Sequence, residues 1–216
     1  MADADTEDPN RATLGFADLV ARVSDAAGGR RRYLFGLAGP PGSGKSTVAA
    51  RLADELGGVV VAMDGFHLDN VELERLGLRG VKGAPETFDA TGFVRLVEQL
   101  RHATGPVSAP SFDRVADHSV DAAITVAPDD HIVIVEGNYL LLDRPPWASL
   151  PELFDLTGYL AVDDATRVER LVARHVRHGR TPADAHHFVR TSDEANAAII
   201  AATRVRADVV IDPSRR

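Results

Sequence analysis

The sequence predicts an α/β fold of three layers, a mainly parallel sheet of about five strands sandwiched between helices. Three observations predict it. Short apolar runs at 33–38, 59–63, 131–135, 156–162 and 207–211 have the length and composition of buried strands. Stretches with apolar residues at helical spacing separate them, and that alternation builds a parallel sheet covered on both faces. The first run also passes through a Gly-rich turn straight into a helical stretch. In open sheets of this kind ligands bind beyond the carboxyl ends of the strands, so the ends of the first three runs are where chemistry is expected.

Taken in order, residues 1–10 are acidic with almost nothing apolar and read as a disordered tail, leaving 11–216 as one domain. Leu14, Leu19, Val20 and Val23 mark an amphipathic helix closed by Gly28-Gly29. Arg30-Arg31-Arg32 reads as a solvated strand entry. Beyond the first strand, Val48, Leu52 and Leu56 define a helix that ends at Gly57-Gly58, and the second strand follows to Met63. Residues 69–77 suit a short helix and 78–89 a loop. Phe93, Leu96, Val97 and Leu100 define another helix, with Asp89 or Thr91 as its cap. Residues 106–127 suggest a small hairpin insertion. The strongest strand, 131–135, precedes a helix around Trp147 to Phe154 and the strand 156–162. An Arg-rich helix over 163–176, a break at Gly179–Pro182, a helix to about Thr203 and a last strand complete the chain. The Arg-rich stretch and its break are expected to form a lid.

Gly39-Pro40-Pro41-Gly42-Ser43-Gly44-Lys45-Ser46 fits G-x-x-x-x-G-K-[ST], the phosphate-binding P-loop. Gly39, Gly42 and Gly44 permit a backbone curled so tightly that successive N–H groups face phosphate oxygens. Lys45 supplies charge to the β- and γ-phosphates, the Ser46 hydroxyl can ligate Mg²⁺, Thr47 is a further candidate nucleotide contact, and the following helix aims its positive end at the same anion. Strand, loop and helix stand in the required order, so the chain is expected to bind a nucleoside triphosphate, ATP with Mg²⁺.

Composition narrows the class. A formal charge of −8 over 216 residues argues against a broad nucleic-acid face. The absence of cysteine excludes disulfides, thiolate catalysis and Cys-ligated zinc. No apolar stretch approaches the ~20 residues of a membrane helix, and the expected setting is cytoplasmic, with no membrane partner. A homodimer stays open. Lys45 and Lys82 are the only lysines, and neither sits in the Asn-Lys-x-Asp pattern that reads guanine.

Asp64 ends the second strand beside Gly65, placed for a general base that deprotonates an acceptor hydroxyl; a turn-capping role is the alternative. Glu136 follows Ile-Val-Ile-Val, where a P-loop protein keeps a second acidic group, and either Mg²⁺ or a substrate hydroxyl could be its partner. Arg170, Arg174 and Arg177 recur on one helix face, flanked by Arg167 and Arg180, and arginines there could neutralise a migrating phosphoryl group. His67 and His118 lie near these groups in sequence and are candidate substrate contacts.

These motifs together resemble the uridine kinase, pantothenate kinase and phosphoribulokinase group of P-loop kinases, over nearly the whole chain from Arg11. The resemblance rests on the P-loop, Met-Asp-Gly-Phe-His (63–67), Gly-Ala-Pro-Glu-Thr-Phe-Asp (83–89), Ser-Phe-Asp-Arg (111–114), Val-Glu-Gly-Asn-Tyr (135–139), the Arg-rich stretch (167–180) and Ala-Asp-Val-Val-Ile (207–211). It is strongest to a bacterial branch of nucleoside- or nucleotide-kinase-like and fructose-transport-associated proteins. It implies an ATP- and Mg²⁺-dependent kinase whose acceptor is a hydroxyl of a nucleoside, sugar or vitamin precursor. It casts Asp64 as base, Arg170 and Arg174 as phosphate contacts, and Phe66, His67, Phe88, Phe112, Arg114 and Tyr139 as the acceptor pocket. Uridine kinases proper carry Asp-Ser-Phe-Tyr where this chain has Asp-Gly-Phe-His. An ATP-binding regulator without a small acceptor is the reading from another class.

Overall fold

The computed structural model describes residues 11–215, so the acidic tail lies outside the described residues. Six strands rather than five form the parallel sheet: β1 (Thr13–Leu14), β2 (Tyr33–Ala38), β3 (Val59–Ala62), β6 (Ile132–Gly137), β7 (Leu156–Leu160) and β8 (Val209–Ile211), in the order β1-β8-β7-β2-β6-β3. The extra strand is β1, two residues long and paired with β8; a segment that short carries no readable period. The expected insertion is an antiparallel pair, β4 (Val107–Asp113) and β5 (His118–Val126).

Side chains alternate across the sheet because strands have a period of two. Leu34, Val133 and Val135 point into one core, where they meet Phe93, Val97 and Leu100 of α4 (Ala90–His102) and Trp147. Phe35, Leu37, Ile132 and Ile134 point into the other, against Leu19 and Val23 of α1 (Phe16–Ala27) and Ala49 and Leu52 of α2 (Lys45–Leu56). Burying each of these large apolar side chains contributes about 1.5–3 kcal/mol. Both faces are therefore covered, as all-parallel sheets require. β3 is an edge strand whose Val59, Val60 and Ala62 are half-buried, less enclosed than its apolar run suggests. Asp89, not Thr91, caps α4 by accepting from Gly92 N–H at 2.9 Å. Residues 147–153 form 3₁₀ turns, and α3 (Asn70–Arg75) is the short helix before the 78–89 loop.

The solvated reading of Arg30-Arg31-Arg32 fails at Arg32, while Arg30 and Arg31 are exposed. Arg32 is buried and donates to the carbonyls of Leu100 (3.1 Å) and Ala127 (2.7 Å), while Arg31 donates to that of Ala103 at 2.7 Å. Arg30 reaches the buried Asp155 at 2.5 Å, and Asp155 also takes Arg101 and the backbone N–H of Leu34. The run ties strand β2 to the ends of α4 and β5 through backbone carbonyls and to the start of β7 through the Asp155 carboxylate.

Three further helices follow β7: α5 (Asp164–Arg177), α6 (Pro182–Phe188) and α7 (Glu194–Ala201), the last two joined through a wider turn at Val189–Asp193. Registers align Leu37 with Glu136 and Ala62 with Glu136. The carboxyl ends of β2, β3 and β6 therefore lie side by side, which brings the loop after β2, Asp64 and Glu136 to one edge.

Candidate active site

The loop between β2 and α2 has the curl its glycines allow. Gly42 (φ 79°) and Gly44 (φ 88°) occupy the left-handed region. A Cβ on Gly42 would lie 2.6 Å from the carbonyl oxygen of Arg167, so the position is closed to side chains twice over. Gly44 caps α2 without a side-chain hydrogen bond, leaving the first N–H groups of the helix open to an anion. The Ser43 hydroxyl is buried with no hydrogen-bond partner. A cradle of free donors and an orphaned hydroxyl fit the phosphates of a nucleotide.

Ser46 Oγ donates to Glu136 Oε1 at 2.8 Å. Burial pulls the Lys45 ammonium below its ordinary value, against the opposing carboxylates of Glu136 and Asp64. Burial raises the Glu136 carboxyl, and Lys45 pulls it back while Asp64 adds to the rise. No cluster of three or more metal-binding side chains occurs among the described residues. A hydroxyl and one carboxylate, completed by phosphate oxygens and water, is a donor set that suits Mg²⁺.

Asp64 sits in the turn Met63–Phe66 at the end of β3. Burial works to raise its carboxyl, but Arg114, His67, Lys45 and Arg174 outweigh it and hold the group below the usual carboxylate range. The strongest partner is Arg114, whose guanidinium donates to Asp64 Oδ2 at 2.5 Å from the tip of the β4–β5 hairpin. Gly65 makes this approach possible, because a Cβ there would lie 2.5 Å from the Pro110 carbonyl oxygen.

The remaining expected pocket residues separate into wall and support. His67 Nδ1 lies 2.8 Å from the Asp64 carbonyl oxygen, and its ring packs on Phe88 (4.1 Å between centroids) and Phe112 (4.8 Å). Leu68 N–H to Thr87 and Asp89 N–H to Phe66 run the 83–89 segment alongside the Asp64 turn. Thr87, fully buried, accepts from Gly83 N–H and donates to the Ala84 carbonyl, which explains that motif as a folded brace. Phe66 packs edge-on against Phe93 of the core, and Phe88 and Tyr139 are buried around Trp147. The Tyr139 hydroxyl donates to the Gly83 carbonyl at 2.6 Å. His118 is exposed, cross-strand from Asp113, with Nδ1 2.8 Å from the Ser119 carbonyl oxygen; the structure does not bring it to Asp64.

The arginines divide by depth. Arg170 donates to the Ser43 carbonyl at 3.1 Å, on the rim of the phosphate loop. Arg174 is half-buried; burial lowers its guanidinium, while Asp193 and Asp64 act against that. Its guanidinium makes no hydrogen bond or ion pair among the described residues, so it stays available to an anion. Arg180 stacks on Phe188 at 4.0 Å, and Arg177 is exposed. Arg167 is the deepest. Its side chain is 1% exposed and joins Pro41 O (3.2 Å), Asp164 (2.9 Å) and Glu194 (2.7 Å). Sequence spacing grouped it with the others and did not single out this role. Asp193, which holds His175 Nε2 at 2.8 Å, and the Lys82–Asp117–Asn70 cluster also went unassigned. Lysine scarcity was the one available signal for Lys82.

Comparisons with known proteins agree with this geometry. The family model described as Phosphoribulokinase / Uridine kinase family matches residues 34–215. A Schizosaccharomyces pombe protein named "Putative uridine kinase" is 36% identical over 214 residues, covering 93% of this chain and 91% of its own length. A pantothenate kinase of Clavibacter sepedonicus is 34% identical over 137 residues, 59% of this chain and 43% of that protein. Among solved structures, a "putative fructose transport system kinase" from Silicibacter sp. TM1040 superposes with a TM-score of 0.85 at 42% identity, over 91% of this chain and 98% of that one.

Proposed function

The chain belongs to the phosphoribulokinase / uridine kinase family, and from that premise we propose that it transfers the γ-phosphoryl group of ATP to a hydroxyl of a small metabolite, with Asp64 as general base. The observation that carries the reading is the position of the Asp64 carboxylate. It lies at the sheet edge that holds the phosphate loop, close enough to Lys45 for each charge to perturb the other.

Lys45 and the loop N–H groups would hold the β- and γ-phosphates and Ser46 with Glu136 the Mg²⁺, which when bound draws charge from the phosphate oxygens. The acceptor hydroxyl gives its proton to Asp64 as its oxygen bonds to the γ-phosphorus. The bond to the β-phosphate oxygen breaks and ADP departs. Arg170 on the loop rim and Arg174 beside Asp64 are placed to offset the charge of the transferring group. His67, Phe112 and Arg114 form the open wall on the acceptor side, and Phe66, Phe88 and Tyr139 support it from behind. Among the described residues no helix is long and apolar enough to cross a membrane.

The test is ADP release with Mg²⁺ across nucleosides, sugars, pantothenate, nicotinamide riboside and glycerate. At least one acceptor should stimulate release and emerge phosphorylated. ATP binding with no acceptor-stimulated release across the panel would contradict the reading.

A further inference from the structure

The proposed base does not stand free, and the group that covers it points to the class of acceptor. Arg114 uses one N–H on Asp64 Oδ2. The rest of its planar fork makes no hydrogen bond among the described residues, and its side chain is 49% exposed against 24% for Asp64. Ion pairs this open to solvent are weak and readily exchanged. Lys82, whose ammonium lies 5.2 Å from the Phe112 ring centroid, is committed elsewhere: 13% exposed, it donates to Asn70 Oδ1 and Asp117 Oδ1, both at 2.8 Å, while Arg174 is assigned above to the transferring phosphoryl group.

The hairpin tip that presents Arg114 is a built turn. Asp113 Oδ1 accepts from Val115 and Ala116 N–H at 2.8 and 2.9 Å. Asp117, at φ 56°, is tied to Asn70 as well as Lys82. The guanidinium is thus delivered to the base from a braced position.

Two demands then collide. Asp64 must take a proton from a hydroxyl, yet one of its oxygens is occupied by a cation that favours the ionised, proton-free form. A neutral acceptor leaves that cation where it is. An acceptor carrying its own anion offers the fork a bidentate partner and releases the carboxylate to the hydroxyl. We propose that the acceptor is an anionic hydroxy-metabolite, bearing a carboxylate or a phosphate, and that Arg114 binds this anion and so vacates Asp64. The inference rests on the kinase reading above.

The experiment measures ADP release by the full chain with ATP and Mg²⁺ on matched pairs: D-glycerate against glycerol, pantothenate against pantothenyl alcohol, ribose 5-phosphate against ribose. The charged member should have the higher kcat/KM in every pair that reacts, and the reacting pairs tell carboxylate from phosphate. Arg114→Gln should lower kcat/KM for that member by about 10- to 150-fold, the range of one charge-assisted hydrogen bond. The KM for ATP and the melting temperature should hold. Arg114→Lys, which keeps charge without the fork, should fall between. A neutral member used as well as its charged partner overturns the proposal while leaving the kinase reading intact. An Arg114→Gln effect on the KM for ATP alone also overturns it, by placing Arg114 on the nucleotide. ATP binding without release by any member, but with release by a nucleoside of the wider panel above, overturns the proposal and keeps the kinase reading; silence across that whole panel sinks both.

Discussion

Replacing Arg167 with leucine should weaken the fold and the phosphate loop together, whereas Arg170→Ala should touch only the loop. Arg167 joins three segments: the loop through the Pro41 carbonyl, α5 through Asp164 and the start of α7 through Glu194. The carboxylates are 84% and 35% exposed and can turn to water once the guanidinium is gone, so their loss costs little. The Pro41 carbonyl stays inside without its donor, at about 1–3 kcal/mol. The shorter side chain leaves a void that adds roughly 1 kcal/mol. Together these predict a loss of about 2–4 kcal/mol, or about 4–16 °C for a chain of this size. Calorimetry reads the melting temperature and titration calorimetry the affinity for ATP. A shift below about 2 °C for Arg167→Leu, or an equal shift for the exposed Arg170→Ala, would refute the claim that Arg167 is the interior fastening.

Glu136→Gln should separate stability from activity. Burial and Asp64 hold the Glu136 carboxyl above its usual value despite Lys45 and Ser46. Its charged form therefore costs stability above the folded-state value, and that cost vanishes as pH falls through it toward the unfolded value. The variant should melt higher than wild type at pH 8, converge with it near pH ~4, and lose Mg²⁺-dependent turnover. Gly65→Ala must push the hairpin off the Asp64 turn, since the added Cβ meets a backbone carbonyl at 2.5 Å. Acceptor KM should rise by an order of magnitude or so with ATP affinity held, measured by steady-state kinetics. Asp117→Asn removes the counter-charge of Lys82 and Arg79 at the hairpin tip. Hydrogen exchange at residues 113–118 should speed up while exchange in β2 and β6 stays unchanged.

Much of this was legible because the strongest signals are local. The run 33–38 is a strand with those same bounds, and the hairpin falls within 106–127. Asp64 and Glu136 come to one edge because a parallel sheet places all strand ends there. What escaped depends on distant partners. Arg32 looks like its neighbours in a basic run until Leu100 and Ala127 supply carbonyls from other elements. Arg167 shares its helical spacing with Arg170, and only the fold shows one turned inward and the other lying on the loop rim. The Arg114–Asp64 contact spans 50 residues and a hairpin whose tip has no apolar pattern. Gly65 read as a difference from related sequences; its reason, the Pro110 carbonyl against it, is tertiary.

The central claim is that Asp64 removes the acceptor proton. Single-turnover phosphoryl transfer by Asp64→Asn, with an acceptor from the screen and ATP saturating, tests it most directly. The account predicts a rate lowered by about 10²- to 10⁴-fold with the ATP dissociation constant nearly unchanged. A transfer rate within a few-fold of wild type would contradict it.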